Sequence, residues 1–195
     1  ESVLKRWRRL YHRRAAEWLI RASGERVDEY AELIAAHFAQ AEVPPAEAEW
    51  QAQARQQKAL RYATAEALRA FSRALDLLPP DDHAARYGLL LERQRLYHLL
   101  GERGAEVANL EALRHAVDVL GDPRRQAQVN IEYAAYYLAT SAYERALEAA
   151  QASAALARAA GDVELEAHAH ARHGNALMFV GDYDGAQASL QLSLD

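Results

Sequence analysis

A chain of 195 residues with 9 Gly, 5 Pro, 3 Phe and no Cys, dominated by Ala, Leu, Glu, Arg and Gln, lacks the β-branched runs that strands need and reads as all-α. The absence of cysteine excludes disulfides, thiolate metal sites and cysteine nucleophiles, and no apolar run approaches the roughly 20 residues of a membrane helix. The net charge of −5 is unevenly placed: residues 1–26 carry eight Lys and Arg against three Glu, which is +5 and leaves −10 on the rest.

In the first segment Leu4, Trp7, Tyr11, Ala15, Trp18 and Ala22 recur with helical period, and Trp7, Tyr11 and Trp18 are assigned to the core. Lys5, Arg8 and Arg9 begin a basic stripe, but His12 takes its next place and the other cations spread round the helix. Contact with an acidic neighbouring domain is therefore expected ahead of contact with nucleic acid. Tyr30, Leu33, Ile34, His37, Phe38 and Ala41 form the stripe of the second segment. Val107, Leu110, Leu113, Val117 and Leu120 repeat the pattern, and so do Ala127, Ile131, Ala134, Ala135 and Leu138.

Breaks fall at Ser23-Gly24, Pro44-Pro45, Pro79-Pro80, Gly101, Gly121-Asp122-Pro123, Ser141, Gly161-Asp162 and Gly181-Asp182. Glycine suits the left-handed residue that ends a helix, and proline can begin the next. Asp81-Asp82 reads as a helix cap and not as a pair of catalytic acids. Segments of about 15 to 20 residues joined by two or three must fold back as antiparallel hairpins, giving about ten helices.

Gly101, Gly121, Gly161 and Gly181 are separated by multiples of twenty residues with Ser141 in the missing place, so two helices make a unit of forty residues. The reading divides the chain into an N-terminal hairpin, 1–43, and repeats over 44–80, 81–121, 122–161 and 162–195, the last cut short. Gly174-Asn175, five residues, Gly181-Asp182-Tyr183, two residues and Ala186 resemble the tetratricopeptide pattern. Ala146 in Tyr143-Glu144-Arg145-Ala146 lies forty residues earlier, and forty before that the small residue is replaced by Glu106. Ala67, Phe71, Ala74 and Pro79 resemble the family's second helix. Small residues at Ala67, Ala146 and Ala186 let paired helices approach, while Tyr143, Tyr183 and Phe71 are expected between hairpins. The resemblance implies an α-solenoid, a right-handed superhelix of antiparallel hairpins. Its unit is longer than the usual thirty-four, so the superhelix would be wider or flatter.

Arg9-Leu10-Tyr11-His12-Arg13-Arg14-Ala15-Ala16-Glu17-Trp18-Leu19 and Tyr30-Ala31-Glu32-Leu33-Ile34-Ala35-Ala36-His37-Phe38 carry a second likeness. With Lys58-Ala59-Leu60-Arg61-Tyr62 and Ala67–Leu75, they look like the region leading into the C-terminal repeats of bacterial STAND signal-transduction ATPases. That family includes LuxR-type regulators and multidomain adenylyl cyclases. The resemblance implies a cytoplasmic sensor segment that receives a protein, a peptide or a small-molecule effector and acts on an upstream ATPase domain. No G-x-x-x-x-G-K-[ST] occurs here, so the nucleotide switch would lie elsewhere in a longer chain. Self-association through the cut end near Leu190 and Leu194 is expected.

In tetratricopeptide proteins the first helix of each hairpin lines the concave side. That assigns a binding groove to Leu91, Arg95 and His98, to Gln128, Ile131, Ala135 and Leu138, and to His168, Ala171, Asn175 and Met178. The groove is expected to be apolar with few charges, suited to a helix or an extended apolar peptide. Asn175 matches an asparagine that clamps peptide carboxylates, but Ala171 stands where the accompanying lysine belongs. His168, His170 and His173 with Glu166 are spaced so that three could face one metal ion, although each also fits an ordinary packing position of the repeat. No metal and no cofactor is expected. Ser141, Ser153 and Ser189 lack a G-x-S-x-G context. The sequence thus points to a non-catalytic, protein-binding or effector-sensing segment, with a free-standing adaptor as the alternative. From another class, a regulator touching nucleic acid through the basic first helix is the rival.

Overall fold

The computed structural model describes residues 3–194, and every regular element among them is helical. α1 (Val3–Ser23) leads through a 3-10 segment (Gly24–Tyr30) to α2 (Ala31–Ala41); then come α3 (Pro44–Leu77), α4 (His83–Leu100), α5 (Arg103–Leu120), α6 (Pro123–Ala139), α7 (Tyr143–Ala159), α8 (Val163–Val180) and α9 (Tyr183–Leu192). The described residues thus hold nine α-helices against the ten expected. The difference lies at residues 44–77, which form one helix of 34 residues because no glycine or proline interrupts them after Pro45. The chain divides into two compact units, Glu1–Ala67 and Leu68–Asp195.

In the first unit α1 packs on α2. Ala16, Ile34 and Phe38 are buried, and Leu19, Ile20, Val27, Tyr30, Val43, Ala46 and Trp50 close round them. The absence of a side chain beyond Cβ at Ala16 lets the two helices approach closely. The sequence reading chose the wrong face of α1. Leu4 is 81% exposed, Trp7 48%, Tyr11 61% and Trp18 61%, so the aromatic stripe points away from α2. Both faces of α1 are apolar, and period alone does not say which one a neighbour covers. Leu33 of the second stripe is likewise exposed.

In the second unit each helix from α4 to α9 packs on the next, and α6 also packs on α8. The connections follow a fixed chemistry. Asp82, Asp122 and Asp162, forty residues apart, cap α4, α6 and α8 by accepting backbone N–H bonds from Ala85, Arg124 and Leu165, each at 3.0 Å. Asp182 does the same for α9 through Gly185 N–H at 2.9 Å. At Gly101, Gly121, Gly161 and Gly181 the chain turns left-handed, and Ser141 holds the same conformation at φ 59° without being a glycine.

Between those ends the seams are lined by alanine. Ala127, Ala134, Ala146, Ala150, Ala157, Ala169 and Ala176 are fully buried, and Ala186 is nearly so. Gly174 belongs to the same seam, where an added Cβ would lie 2.7 Å from Leu190 Cγ and 3.2 Å from the Ala186 carbonyl oxygen. Tyr143 stacks flat on Phe179 with ring centroids 5.1 Å apart, the space-filling role expected of it. Tyr183 does not fill such a space. It is 70% exposed, because no helix follows α9 among the described residues.

Leu75, Leu90, Leu110, Leu113, Val117 and Val129 form a larger-residue core where the end of α3 meets α4, α5 and α6. Beside it lies the small-residue position taken by Glu106, which is fully buried. Its carboxylate accepts from Arg103 Nη1 at 2.5 Å and Gln94 Nε2 at 3.4 Å and lies 2.7 Å from His98 Nδ1. Asn109 extends the network, donating to Gln94 Oε1 and the Leu90 carbonyl and accepting from Arg93. A buried carboxylate is tolerated only with such partners.

Two substitutions test the seam and the turns. Gly174→Ala forces Leu190 aside and is expected to lower stability by about 1–3 kcal/mol. Ser141→Gly relieves a left-handed L-residue and is expected to raise it by about 1 kcal/mol. Urea unfolding midpoints of the two variants check both signs.

Candidate functional site

An open cleft of about 450 Å³ lies between the middle of α4 and the first two turns of α6 and α8, whose caps stand forty residues apart. Leu91 and Arg95 enter it from α4 together with Tyr87; Gln128 from α6 with Arg124 and Arg125; His168 from α8 with Glu164, Leu165 and the cap Asp162. Four of the eleven residues assigned to the groove by sequence, Leu91, Arg95, Gln128 and His168, therefore meet in one place.

The other seven lie elsewhere. Ile131 and Ala135 are buried, since α7 and α8 both pack on α6. His98 joins the Glu106 network. Leu138 and Ala171 are half-buried, and Asn175 is exposed. Met178 lines a separate apolar depression of about 350 Å³ with Tyr183, Leu190 and Leu194 of the C-terminal segment.

The cleft is also more polar than expected. Arg125 pairs with Asp122 at 3.2 Å and lies over the Tyr87 ring, 5.1 Å from its centroid. Arg124 pairs with Asp162, and Arg95 with Glu92 at 2.7 Å. The hydrogen bond from Leu165 N–H, reinforced by Arg124, holds the Asp162 carboxyl below the usual carboxylate range. Burial pushes the Tyr87 hydroxyl up. Among the described residues Glu164 and His168 have no ion-pair or hydrogen-bond partner, so they remain free for a guest. The sequence reading missed Tyr87, Arg124, Arg125, Asp162, Glu164 and Leu165 because it followed mid-helix positions and ignored first turns. The forty-residue spacing of Arg124 and Glu164 was the available signal.

The three clustered histidines of α8 do not converge. His168 enters the cleft, His170 Nε2 lies 3.7 Å from Glu166 Oε1, and His173 Nδ1 is 3.1 Å from Ser189 Oγ. Ser189 commits its proton to the His170 carbonyl, so His173 is the donor there. Burial, then the neighbouring His170, pushes the His173 imidazole down. Among the described residues no three metal-ligating side chains gather, and no helix is long and apolar enough to cross a membrane. The described residues are thus all-helical, and in the second unit, where each helix packs on the next, a polar cleft opens across α4, α6 and α8. Neither a family model nor a curated protein gives a significant match to the chain.

One carboxylate near the cleft titrates in a diagnostic way. Burial pushes Glu132 above its ordinary value of 4.5, against the hydrogen bond from Gln128 and the charges of Arg95, Arg172 and His98. Above the raised value the buried anion weakens the fold. As pH falls toward 4.5 the folded form takes up its proton first, and stability rises. Glu132→Gln keeps the acceptor for Gln128 and removes the charge. It is expected to stabilise the protein at pH 8, with the gain shrinking as pH approaches 4.5. Thermal unfolding at several pH values reads this directly.

Proposed function

We propose that the chain is a non-catalytic binding segment of tetratricopeptide type, a right-handed array of hairpins that holds a peptide or a protein segment in the cleft across α4, α6 and α8. The supporting observation is that Leu91, Gln128 and His168, on three alternate helices, line one cavity. Tyr87, Leu91 and Leu165 suit an apolar side chain of the guest, and the Arg95, Arg124 and Arg125 donors suit its carbonyls. An extended peptide fits this mixture better than the wholly apolar guest expected from sequence, because a backbone brings polar groups that the arginines and Glu164 can meet.

The likeness of residues 9–41 favours a sensor role inside a bacterial STAND-type ATPase that works in the cytoplasm. A free-standing adaptor is the second reading. A parent gene encoding G-x-x-x-x-G-K-[ST] ahead of this segment supports the first, and a parent without it removes that reading.

For the cleft, peptides selected from a display library against the chain are the probe. Leu91→Ala and His168→Ala are each expected to weaken the selected peptides about tenfold, roughly 1.4 kcal/mol, the exposed His168 variant with an unchanged unfolding midpoint and Leu91→Ala with a lowered one, since Leu91 also packs on the core. Val119→Ala, at an exposed position of α5, should leave calorimetric affinity as it was. Peptides indifferent to both cleft substitutions would remove this cleft as the site.

A further inference from the structure

The aromatic face of α1 has no cover, although the opposite face of the same helix is buried. At 100° per residue, Trp7, Tyr11 and Trp18 fall within one narrow strip with Leu4 and Ala22, on the far side from Ala16. The Trp7 and Tyr11 rings stack, 6.0 Å between centroids. Beside Trp18 a depression of about 280 Å³ is lined by Leu19, Ala22, Ser23, Arg26 and Tyr30. From Leu4 to Trp18 the strip runs about 21 Å, the length of four helical turns.

Arginine borders this strip on both sides, Arg8 on one and Arg14 and Arg21 on the other. All three are exposed, and no carboxylate of the described residues pairs with them. Of the arginines that point elsewhere, Arg9 pairs with Glu42 and Arg13 with Glu17, and in the 3-10 segment Arg26 pairs with Glu29. Three unpaired arginines of α1 thus frame the apolar strip.

We infer that this face docks an acidic amphipathic helix of a partner protein, its apolar seam on Leu4, Trp7, Tyr11 and Trp18 and its carboxylates on Arg8, Arg14 and Arg21. The composition is that of a protein-binding hot spot, in which Trp, Tyr and Arg concentrate and Lys is scarce. Lys5, the one lysine of the helix, lies off the border. A second copy docked through the same strip would set these arginines against their own kind, which opposes self-pairing. Four turns of exposed anchors at helical spacing match one facing helix.

Two synthetic helical peptides with the same leucine seam, one flanked by glutamates and one by lysines, test the inference against the intact chain. The glutamate peptide should bind and shift tryptophan emission to the blue. Trp7→Ala with Trp18→Ala should weaken it at least tenfold. Arg14→Glu with Arg21→Glu should reverse the preference toward the lysine peptide, whereas Arg6→Glu with Arg13→Glu, on another side of the helix, should not. Helical circular dichroism should be unchanged in every variant. Equal binding of both peptides, no binding of the glutamate peptide, or reversal by the Arg6 and Arg13 control would overturn the proposal. So would tighter binding to phosphatidylglycerol vesicles or single-stranded oligothymidylate, or self-association that Trp7→Ala abolishes.

Discussion

The second unit depends on how closely its helices approach one another. Where Ala127, Ala134, Ala146, Ala150, Ala169, Ala176 and Ala186 meet, no side chain is long enough to hold the backbones apart, and at Gly174 not even a methyl fits without displacing Leu190. Close seams give dense van der Waals contact at small entropic cost, since alanine and glycine have no rotamers to lose. They leave room for few large residues among the alanines, Ile131 and Leu165 being the ones buried there. Tyr143 and Phe179 must then pair beside the seam. Glu106 shows what a departure from this rule demands. A long charged side chain in a small-residue position forces Gln94, Asn109, His98 and Arg103 into one hydrogen-bonded network, and α4 and α5 are joined there by polar contacts where later hairpins use alanine.

That constraint explains how much of the fold was legible. Helix ends are local events: an aspartate cap or a left-handed residue is set by the few residues around it, so Asp82, Gly101, Gly121, Ser141, Gly161 and Gly181 were readable one by one. The seam residues were readable because their smallness recurs at a fixed spacing. What failed was non-local. On α1, Trp7 and Tyr11 recur with the same period as a core stripe, but Ala16, Leu19 and Ile20 are what α2 covers. On α3 an expectation of equal hairpins outweighed the plain absence of a break between Pro45 and Leu78.

The cleft was half legible for the same reason. Gln128 and His168, forty residues apart, occupy corresponding places on α6 and α8, so a repeat reading found them together. Leu91 corresponds in that register to Ile131 and Ala171, and joins Gln128 and His168 only through the packing of α4. Ile131 and Ala135 were assigned to the open side by the same logic, yet α7 and α8 both reach α6 and close over them. The first turns contributed Arg124, Arg125 and Glu164 because caps at fixed intervals bring helix starts close together, a property of the turn spacing that face periodicity does not express.

The two surfaces use arginine in opposite ways, and the difference bears on what each can recognise. In the cleft Arg95, Arg124 and Arg125 already answer Glu92, Asp162 and Asp122, so a guest gains little from carrying further negative charge. It gains instead from the guanidinium N–H groups that the ion pairs leave unused, which are held in fixed directions and suit neutral carbonyls. On α1 the bordering arginines answer nothing among the described residues, so a negatively charged guest collects the full pairing at each of them, and its approach is steered at long range. Recognition in the cleft therefore rests on shape and hydrogen-bond direction, and should weaken little as salt is added. Recognition on α1 rests on charge framing an aromatic strip, and ionic strength acts directly on that charge.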